Sequence, residues 1–246
     1  MKSERPANAG VTFVLVHGAF HGGWCWARVR GLLEANGHRT FAPSQTGLGD
    51  RSHLLSRDID MDTFVLDITN LIESEELEDV ILVGHSFGGR TVAGVADRIP
   101  ERIRHLVFLD GGLPIGTLSK LDAMDPQARA ARIAAAEHSS GGLGIPPPAA
   151  RAFGLSDPDD IAWVDRRLTP QPLSVEASAS PLRNDIGNGL PCTYGRFTDP
   201  VLPAVEPSAA YARTRADWSF VELPGGHDGI ISAPGPVAAL LESLAA

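Results

Sequence analysis

The chain has 246 residues, which suits one α/β domain with an inserted cap and is long enough to bury a sizeable core. Its formal net charge of −9 argues against nucleic acid or an anionic membrane surface as a partner, and leaves a small molecule as the expected one. Two cysteines, Cys25 and Cys192, do not make a disulfide framework, and we expect both to be reduced thiols.

Residues 1–10 are polar and lack the apolar core of a secretory signal. No apolar run in the chain approaches the roughly 20 residues that a membrane-spanning helix needs. These features predict a soluble protein located in the cytoplasm.

Short apolar runs then alternate with amphipathic stretches through the first half of the chain. The apolar runs predict strands at residues 11–16, 39–42, 79–84 and 103–109. The amphipathic stretches predict helices at residues 24–35, 62–77 and 87–98. Strand–helix alternation of this kind implies a parallel sheet with right-handed crossovers.

The pattern changes at residues 111–190, which are rich in Ala, Pro, Gly and Ser. We expect helices there over 123–137 and from Asp157, an N-cap followed by Pro158, as far as Leu168. Strands at 192–197 and 219–223 and a helix at 237–244 resume the sheet pattern. The predicted organisation is therefore a core of residues 1–110 and 191–246, with residues 111–190 forming a helical cap inserted before the last two strands.

Ser86 lies in the segment Gly-His-Ser-Phe-Gly at 84–88. A Gly-x-Ser-x-Gly segment is weak evidence by itself, but this one directly follows a buried strand and opens a helix. A sharp strand–turn–helix needs small residues on both sides of the serine, and Gly84 and Gly88 supply them. The pattern predicts that Ser86 is a catalytic nucleophile.

A serine hydroxyl needs a base, and His227 fits that role best among the eight histidines. It follows a predicted strand and the loop 224–226, late in the chain, where this architecture is expected to carry its histidine. His85 lies inside the turn and is expected to be a packed residue. His17 and His21 flank a glycine-rich loop and are candidates for lining the pocket. No pair of His, Cys or carboxylate residues has metal-binding spacing, so we expect no metal and no cofactor.

Two aspartates at strand ends compete to orient the imidazole. Asp199 follows the strand at 192–197 and lies between the serine and the histidine in chain order, after the penultimate strand. Asp110 satisfies the same order one strand earlier. The sequence favours Asp199 and leaves Asp110 as its rival. Asp228, next to the histidine, is interpreted as a loop residue.

Ester cleavage also needs N–H donors for a tetrahedral oxyanion. One expected donor is Phe87, the residue after the nucleophile. The other comes from the glycine-rich loop 17–23 after the first strand, where Ala19 is the candidate.

These segments together resemble one branch of the α/β-hydrolase superfamily. The shared sequence runs are FVLVHGA at 13–19, HGGWCW at 21–26 and GHSFGG at 84–89. The branch contains plant methylesterases, plant hydroxynitrile lyases and bacterial esterases such as pyrethroid hydrolases. The resemblance covers most of the chain, is weakest in the predicted cap, and implies an α/β-hydrolase fold.

The resemblance implies roles for individual residues. It maps the nucleophile onto Ser86, the histidine onto His227, the acid onto Asp199 and the oxyanion donors onto Ala19 and Phe87. Pro200, directly after Asp199, departs from the plant pattern. The lyases carry a lysine after the histidine where this chain has Asp228, which argues against cyanohydrin cleavage.

The resulting hypothesis is a serine esterase that forms an acyl-enzyme on small, fairly hydrophobic esters. Phe20 and Trp163 suggest a hydrophobic acyl or aryl group, although both are also explained by core packing. One alternative is a lactonase or other acyl-transfer enzyme with the same triad. Another is a hydrolase-fold protein that binds a ligand with slow or no turnover.

Overall fold

The computed structural model describes residues 10–116, 118–180 and 182–245. Its centre is a six-stranded, all-parallel sheet with strand order β2-β1-β3-β4-β7-β8, which confirms the predicted architecture. The strands of this sheet are β1 Thr12–Val16, β2 Arg39–Phe41, β3 Val80–His85, β4 Ile103–Leu109, β7 Cys192–Phe197 and β8 Trp218–Leu223. A separate antiparallel pair is formed by β5 Gly144–Ile145 and β6 Gln171–Pro172.

Nine α-helices lie in the described parts of the chain. They are α1 Ala27–Ala35, α2 Met61–Ser74, α3 Gly88–Arg98, α4 Pro126–Ser140, α5 Pro158–Asp165, α6 Leu173–Ala177, α7 Glu206–Thr214, α8 Gly229–Ser232 and α9 Pro234–Ser243. None of them is long and apolar enough to cross a membrane.

The central strands are buried on both faces, which explains why they read as continuous apolar runs rather than alternating ones. Successive side chains of a strand point to opposite faces. Val14 and Leu82 therefore pack in the hydrophobic cluster on one side of the sheet, and Phe13 and Ile81 in the cluster on the other. The sheet is thus held between two apolar layers, and its carboxyl edge is left for the loops that follow the strands.

The segment predicted as the cap enters after β4 and leaves before β7, and it contains α4, β5, α5, β6 and α6. Asp157 caps α5 as predicted, accepting hydrogen bonds from the backbone N–H groups of Asp159 and Asp160. That helix ends at Asp165, earlier than expected. The predicted helix at 123–137 begins three residues later, after the N-cap Asp125.

Two local predictions were incomplete. The stretch expected to be one helix at 24–35 begins as a 3₁₀ turn, Gly23–Trp26, before α1. Helix α7 between the last two strands was not predicted, because its sequence is short and follows a segment rich in proline.

Helix α2 begins with a capping box that is worth testing. The Asp60 carboxylate accepts a hydrogen bond from Thr63 N at 2.8 Å, and the Thr63 hydroxyl accepts one from Asp60 N at 3.2 Å. We expect Asp60→Ala to lower the free energy of unfolding by about 1 kcal/mol, measured by urea denaturation. Asp58→Ala is the matched control, since Asp58 is exposed two residues before the cap. Equal losses in the two variants would contradict a capping role.

Candidate active site

Ser86 lies at the turn between β3 and α3 with a backbone φ of +52°. A non-glycine residue in this region is uncommon and indicates a conformation imposed by its surroundings. A Cβ atom at Gly84 would lie 2.7 Å from Gly88 O, and a Cβ at Gly88 would lie 2.6 Å from His17 O. Both glycines are therefore required by close backbone approach, which is the physical reason for the Gly-x-Ser-x-Gly pattern.

His227 lies on the loop after β8 and reaches Ser86 across the edge of the sheet. Its Nε2 accepts a hydrogen bond from the Ser86 hydroxyl at 2.8 Å. The loop that carries His227 is also held by β3, because His85 Nε2 donates to the backbone carbonyl of His227 at 2.8 Å. Burial, with a smaller effect from the nearby imidazole of His227, lowers the pKa of His85 to about 3, so His85 is neutral.

The carboxylate that orients His227 is Asp110, not Asp199. Asp110 Oδ2 accepts a hydrogen bond from His227 Nδ1 at 2.9 Å, and the aspartate has no exposed surface. Asp199 is exposed in the loop after β7, where its backbone N–H donates to Gly225 O. Asp199, the acid favoured from the sequence, lies past the end of β7 and faces outward, whereas Asp110 directly follows β4, the neighbour of the Ser86 strand.

Asp110 is held by the adjacent strand as well as by the histidine. Its Oδ1 accepts a hydrogen bond from Phe197 N at 3.0 Å, and Arg196 Nη1 lies 3.8 Å away. Its φ of +44° is a second left-handed conformation at the same sheet edge as Ser86. The carboxylate is thereby fixed in one orientation, which in turn fixes the imidazole tautomer with hydrogen on Nδ1.

The predicted oxyanion donors lie beside Ser86. Ala19 and Phe87 line the same cavity as Ser86 and His227, and neither backbone N–H donates a hydrogen bond to any other described residue. Gly18 keeps this space open, since a Cβ there would come within 2.7 Å of Ser86 Cβ. The cavity that contains the serine hydroxyl is therefore lined by two residues whose backbone N–H groups have no acceptor among the described residues.

His17 holds the loop that carries Ala19. Its Nδ1 donates to Gly18 O at 2.8 Å, and its Nε2 accepts from Gln45 N at 3.0 Å. Burial lowers its pKa to about 4 against the opposing effect of the Gly18 carbonyl, so the ring is neutral. His17 therefore acts as a structural hydrogen-bonding residue and does not line the pocket.

The role of Asp228 was not predicted from the sequence, which indicated only a loop residue. Asp228 has no exposed surface, and its Oδ2 accepts a hydrogen bond from His21 Nε2 at 3.0 Å. His21 Nδ1 donates to Ala19 O at 2.8 Å, so both ring nitrogens are donors and the ring is an imidazolium. This buried ion pair connects the loop that bears Ala19 to the loop that bears His227. No signal in the sequence indicated the pairing, because the two residues lie 207 positions apart.

A cavity of about 420 Å³ opens from Ser86 under the segment between β4 and β7. Its apolar walls include Phe20 and Leu113, whereas Trp163 lies outside it and contacts Trp24 instead. A larger cavity of about 670 Å³ also touches Arg90 but contains no part of the Ser86–His227–Asp110 chain. The smaller cavity is therefore the candidate substrate site.

Comparisons with known proteins show the family of this chain. The family model described as "Alpha/beta hydrolase family" matches residues 13–240. The carbendazim hydrolysing esterase of Nocardioides sp. is 38% identical over 94% of this chain and 98% of its own length. Methylesterase 1 of Arabidopsis thaliana is 41% identical, but the match covers only 42% of this chain and 40% of that protein.

A solved structure shows the same fold. An extracellular α/β-hydrolase from a Paenibacillus species superposes with a TM-score of 0.81 at 22% identity, covering 96% of this chain and 99% of its own. The resemblance to methylesterases and bacterial esterases inferred from the sequence is confirmed. The cytoplasmic location stays a prediction.

The His21–Asp228 pair predicts a distinctive dependence of stability on pH. Burial opposes the charged form of both side chains, but the attraction between the two charges is the stronger effect. It raises the pKa of His21 and lowers the pKa of Asp228. His85 and His227 also contribute to the lowered pKa of Asp228. The Asp228 contribution is present above its ordinary pKa of 3.8 and is lost as pH falls through the lowered value. The His21 contribution is present below its ordinary pKa of 6.5 and is lost as pH rises through the raised value.

We therefore expect Asp228→Asn to lower the free energy of unfolding by about 3–5 kcal/mol near pH 5.5, because it leaves a buried imidazolium unpaired. The deficit should shrink as pH rises through the raised pKa of His21. Urea denaturation at several pH values measures it. Asp217→Asn, which removes an exposed carboxylate paired with Arg215, is the control and should show no such profile. A deficit that stays constant from pH 5 to 9 would rule out the charged pair.

Proposed function

Since this chain belongs to the alpha/beta hydrolase family, we propose that it cleaves carboxylic esters with Ser86 as nucleophile, His227 as general base and Asp110 as the residue that orients the base. The chain is assigned as a carboxylic ester hydrolase because it is 38% identical to an esterase over 94% of its length. The observation that carries the mechanism is the unbroken hydrogen-bond chain from Asp110 through His227 to Ser86.

In the first half-reaction His227 Nε2 takes the proton of Ser86 Oγ as that oxygen attacks the ester carbonyl carbon. The carbonyl oxygen becomes an oxyanion and accepts hydrogen bonds from the backbone N–H groups of Ala19 and Phe87. The intermediate collapses, the bond to the alcohol oxygen breaks, and His227 returns the proton to that oxygen. An alcohol and an acyl group on Ser86 result.

In the second half-reaction His227 takes a proton from water, and the water oxygen attacks the acyl carbon. Collapse of this intermediate breaks the bond to Ser86 Oγ, which recovers its proton from His227. Asp110 stabilises the imidazolium that forms in each half-reaction without taking its proton. Both half-reactions use one histidine in the same tautomer, and Asp110 maintains that tautomer.

Cyanohydrin cleavage is disfavoured because no unpaired cation follows the base in sequence, where this chain has Asp228. Asp228 is a buried carboxylate whose pKa is lowered by its pairing with His21, burial opposing, so it is ionised at neutral pH. The imidazolium of His21 neutralises this carboxylate, so the pair supplies no net positive charge beside His227 to hold cyanide as a leaving anion. This supports ester cleavage over lyase chemistry.

We expect Ser86→Ala to lower kcat/KM for 4-nitrophenyl acetate by at least about 10³-fold, because the remaining donors and binding site cannot supply a nucleophile. Release of 4-nitrophenolate measures it, with circular dichroism to establish folding. Ser52→Ala is the matched control, since Ser52 is exposed and away from the cavity. Wild-type turnover in folded Ser86→Ala would contradict the proposal.

The same protein distinguishes an enzyme from a ligand-binding protein. A fluorophosphonate probe should label Ser86 in the wild-type chain and leave Ser86→Ala unlabelled. Absence of labelling in a folded wild-type protein would favour a binding role. A lactonase would be labelled too, and a panel of esters and lactones graded by acyl and alcohol size separates it from an esterase.

Separate substitution of Asp110 and Asp199 tests which of the two aspartates orients His227. We expect Asp110→Asn to lower kcat by about 10⁴-fold, because an amide in this position favours the wrong imidazole tautomer. Asp199→Asn should leave kcat within about two-fold, since its side chain is exposed. The opposite result would restore Asp199 as the triad acid.

A further inference from the structure

The cavity beside Ser86 carries more positive than negative charge. Within the described parts of the chain its charged lining side chains, apart from the histidines, are Arg90, Lys120, Arg132 and Glu176. Glu176 is 1% exposed and is fully engaged by Arg132, whose Nε and Nη2 each donate to one carboxylate oxygen at 2.5 Å. That bidentate pair is neutral as a unit, which leaves Arg90 and Lys120 without a carboxylate partner among the residues that the structure describes.

Lys120 is the more informative of the two cations. It is partly buried, and its ammonium forms no hydrogen bond or ion pair with any residue that the structure describes. Burial lowers the pKa of this lysine, Glu176 opposes that effect, and Arg90 and Arg132 add to it. An unpaired cation in an apolar cavity is costly, so its position indicates a ligand group that compensates it.

The backbone around Lys120 is rigidly positioned. Leu121 N donates to Glu176 O at 3.0 Å, and Asp122 N donates to the buried Ser119 hydroxyl at 3.0 Å. The ammonium is therefore presented from a fixed turn rather than from a free loop.

Arg90 brings the second charge close to the reaction centre. It lies on the first turn of α3, four residues after Ser86, and is buried. Its Nη1 donates to Leu118 O at 3.2 Å and to Ser180 Oγ at 3.4 Å, both neutral acceptors. The bond to Leu118 O ties Arg90 to the segment that carries Lys120. Both cations line the same cavity as Ser86.

We propose that Lys120 and Arg90 bind an anionic group of the substrate, a carboxylate being the simplest, so that the favoured substrates are small esters that also carry a carboxylate. This rests on the proposed ester hydrolysis at Ser86. The apolar walls would accept the carbon skeleton, and the two cations would hold the charged end while the ester carbonyl reaches Ser86. The expectation of small, fairly hydrophobic esters is thereby refined.

Two matched ester pairs test the proposal. Methyl 4-carboxybenzoate against methyl 4-acetylbenzoate places the charge on the acyl side, and 4-carboxyphenyl acetate against 4-acetylphenyl acetate places it on the alcohol side. The measured quantity is the ratio of kcat/KM for the carboxylate ester over its neutral partner, compared between wild-type protein and variants so that intrinsic reactivity cancels.

We expect Lys120→Met to lower that ratio about ten-fold or more in at least one pair, with kcat/KM for the neutral ester within about two-fold of wild type. Lys120→Arg should recover most of the ratio. Arg166→Gln is the matched control, since it removes one exposed positive charge outside the cavity and should change nothing. An unchanged ratio in Lys120→Met for both pairs would overturn the proposal.

A binding measurement separates this proposal from the proposed function. The chain has only two lysines, Lys2 and Lys120. In the Ser86→Ala protein, methyl 4-carboxybenzoate should protect Lys120 from trinitrobenzenesulfonate, as peptide mass spectrometry reports, while methyl 4-acetylbenzoate should not. If the wild-type chain cleaves none of the esters but protection is seen, the esterase proposal fails and the anion site stands. If esters are cleaved without protection or discrimination, the anion site fails alone.

Discussion

The hydrogen bond between Asp110 and His227 is the constraint on which the site depends. It joins residues 117 positions apart, at the ends of two strands that are separated in the sheet by β7. The carboxylate is completely buried, and its second oxygen is bound by the backbone of β7. Three strand ends are therefore fixed relative to one another by a single side chain. The His227 imidazole is held in one orientation as a result, and its hydrogen bond to Ser86 in turn fixes the serine hydroxyl.

Three further buried histidines around this centre are held in different charge states. His17 and His85 are neutral because burial outweighs every favourable contact of their charged forms. His21 is an imidazolium because a buried carboxylate and a backbone carbonyl each accept one of its N–H groups. The four imidazoles, including His227, are chemically identical in the unfolded chain, and burial together with their hydrogen-bond partners distinguishes them in the folded protein. One edge of the sheet thus holds a base, two neutral structural donors and a fixed cation.

The sheet and the turn at Ser86 could be predicted from the sequence, because both depend on local properties. Continuous apolar runs give the buried strands, and two glycines at fixed offsets give the turn. The choice between Asp110 and Asp199 depends instead on which strand end faces the histidine, and both aspartates follow strands in the correct chain order. Mapping the acid by position within the family selected Asp199, although the neighbouring Pro200 already departed from that pattern.

Contacts between distant segments were beyond the reach of the sequence. The pairing of His21 with Asp228 and that of Arg132 with Glu176 each join elements brought together only by the finished fold. Lys120 gave no signal for the same reason, since an isolated lysine in a stretch rich in small residues is typical of a surface. Its significance comes from its surroundings. It lines an apolar cavity in whose described lining the carboxylate of Glu176 is already paired with Arg132.

The position of the acid also determines which segments of this enzyme can change in sequence without disturbing the base and its carboxylate. With Asp110 at the end of β4, the segment between β7 and α7 contributes nothing to the described hydrogen-bond chain, yet Leu202, Ala204 and Val205 line the cavity. Substitutions in that segment can reshape the cavity wall while leaving the base and its carboxylate in place. Laboratory evolution of substrate range can therefore concentrate mutations in this segment. If Asp199 were the acid, substitutions in the same segment would disturb the orientation of His227.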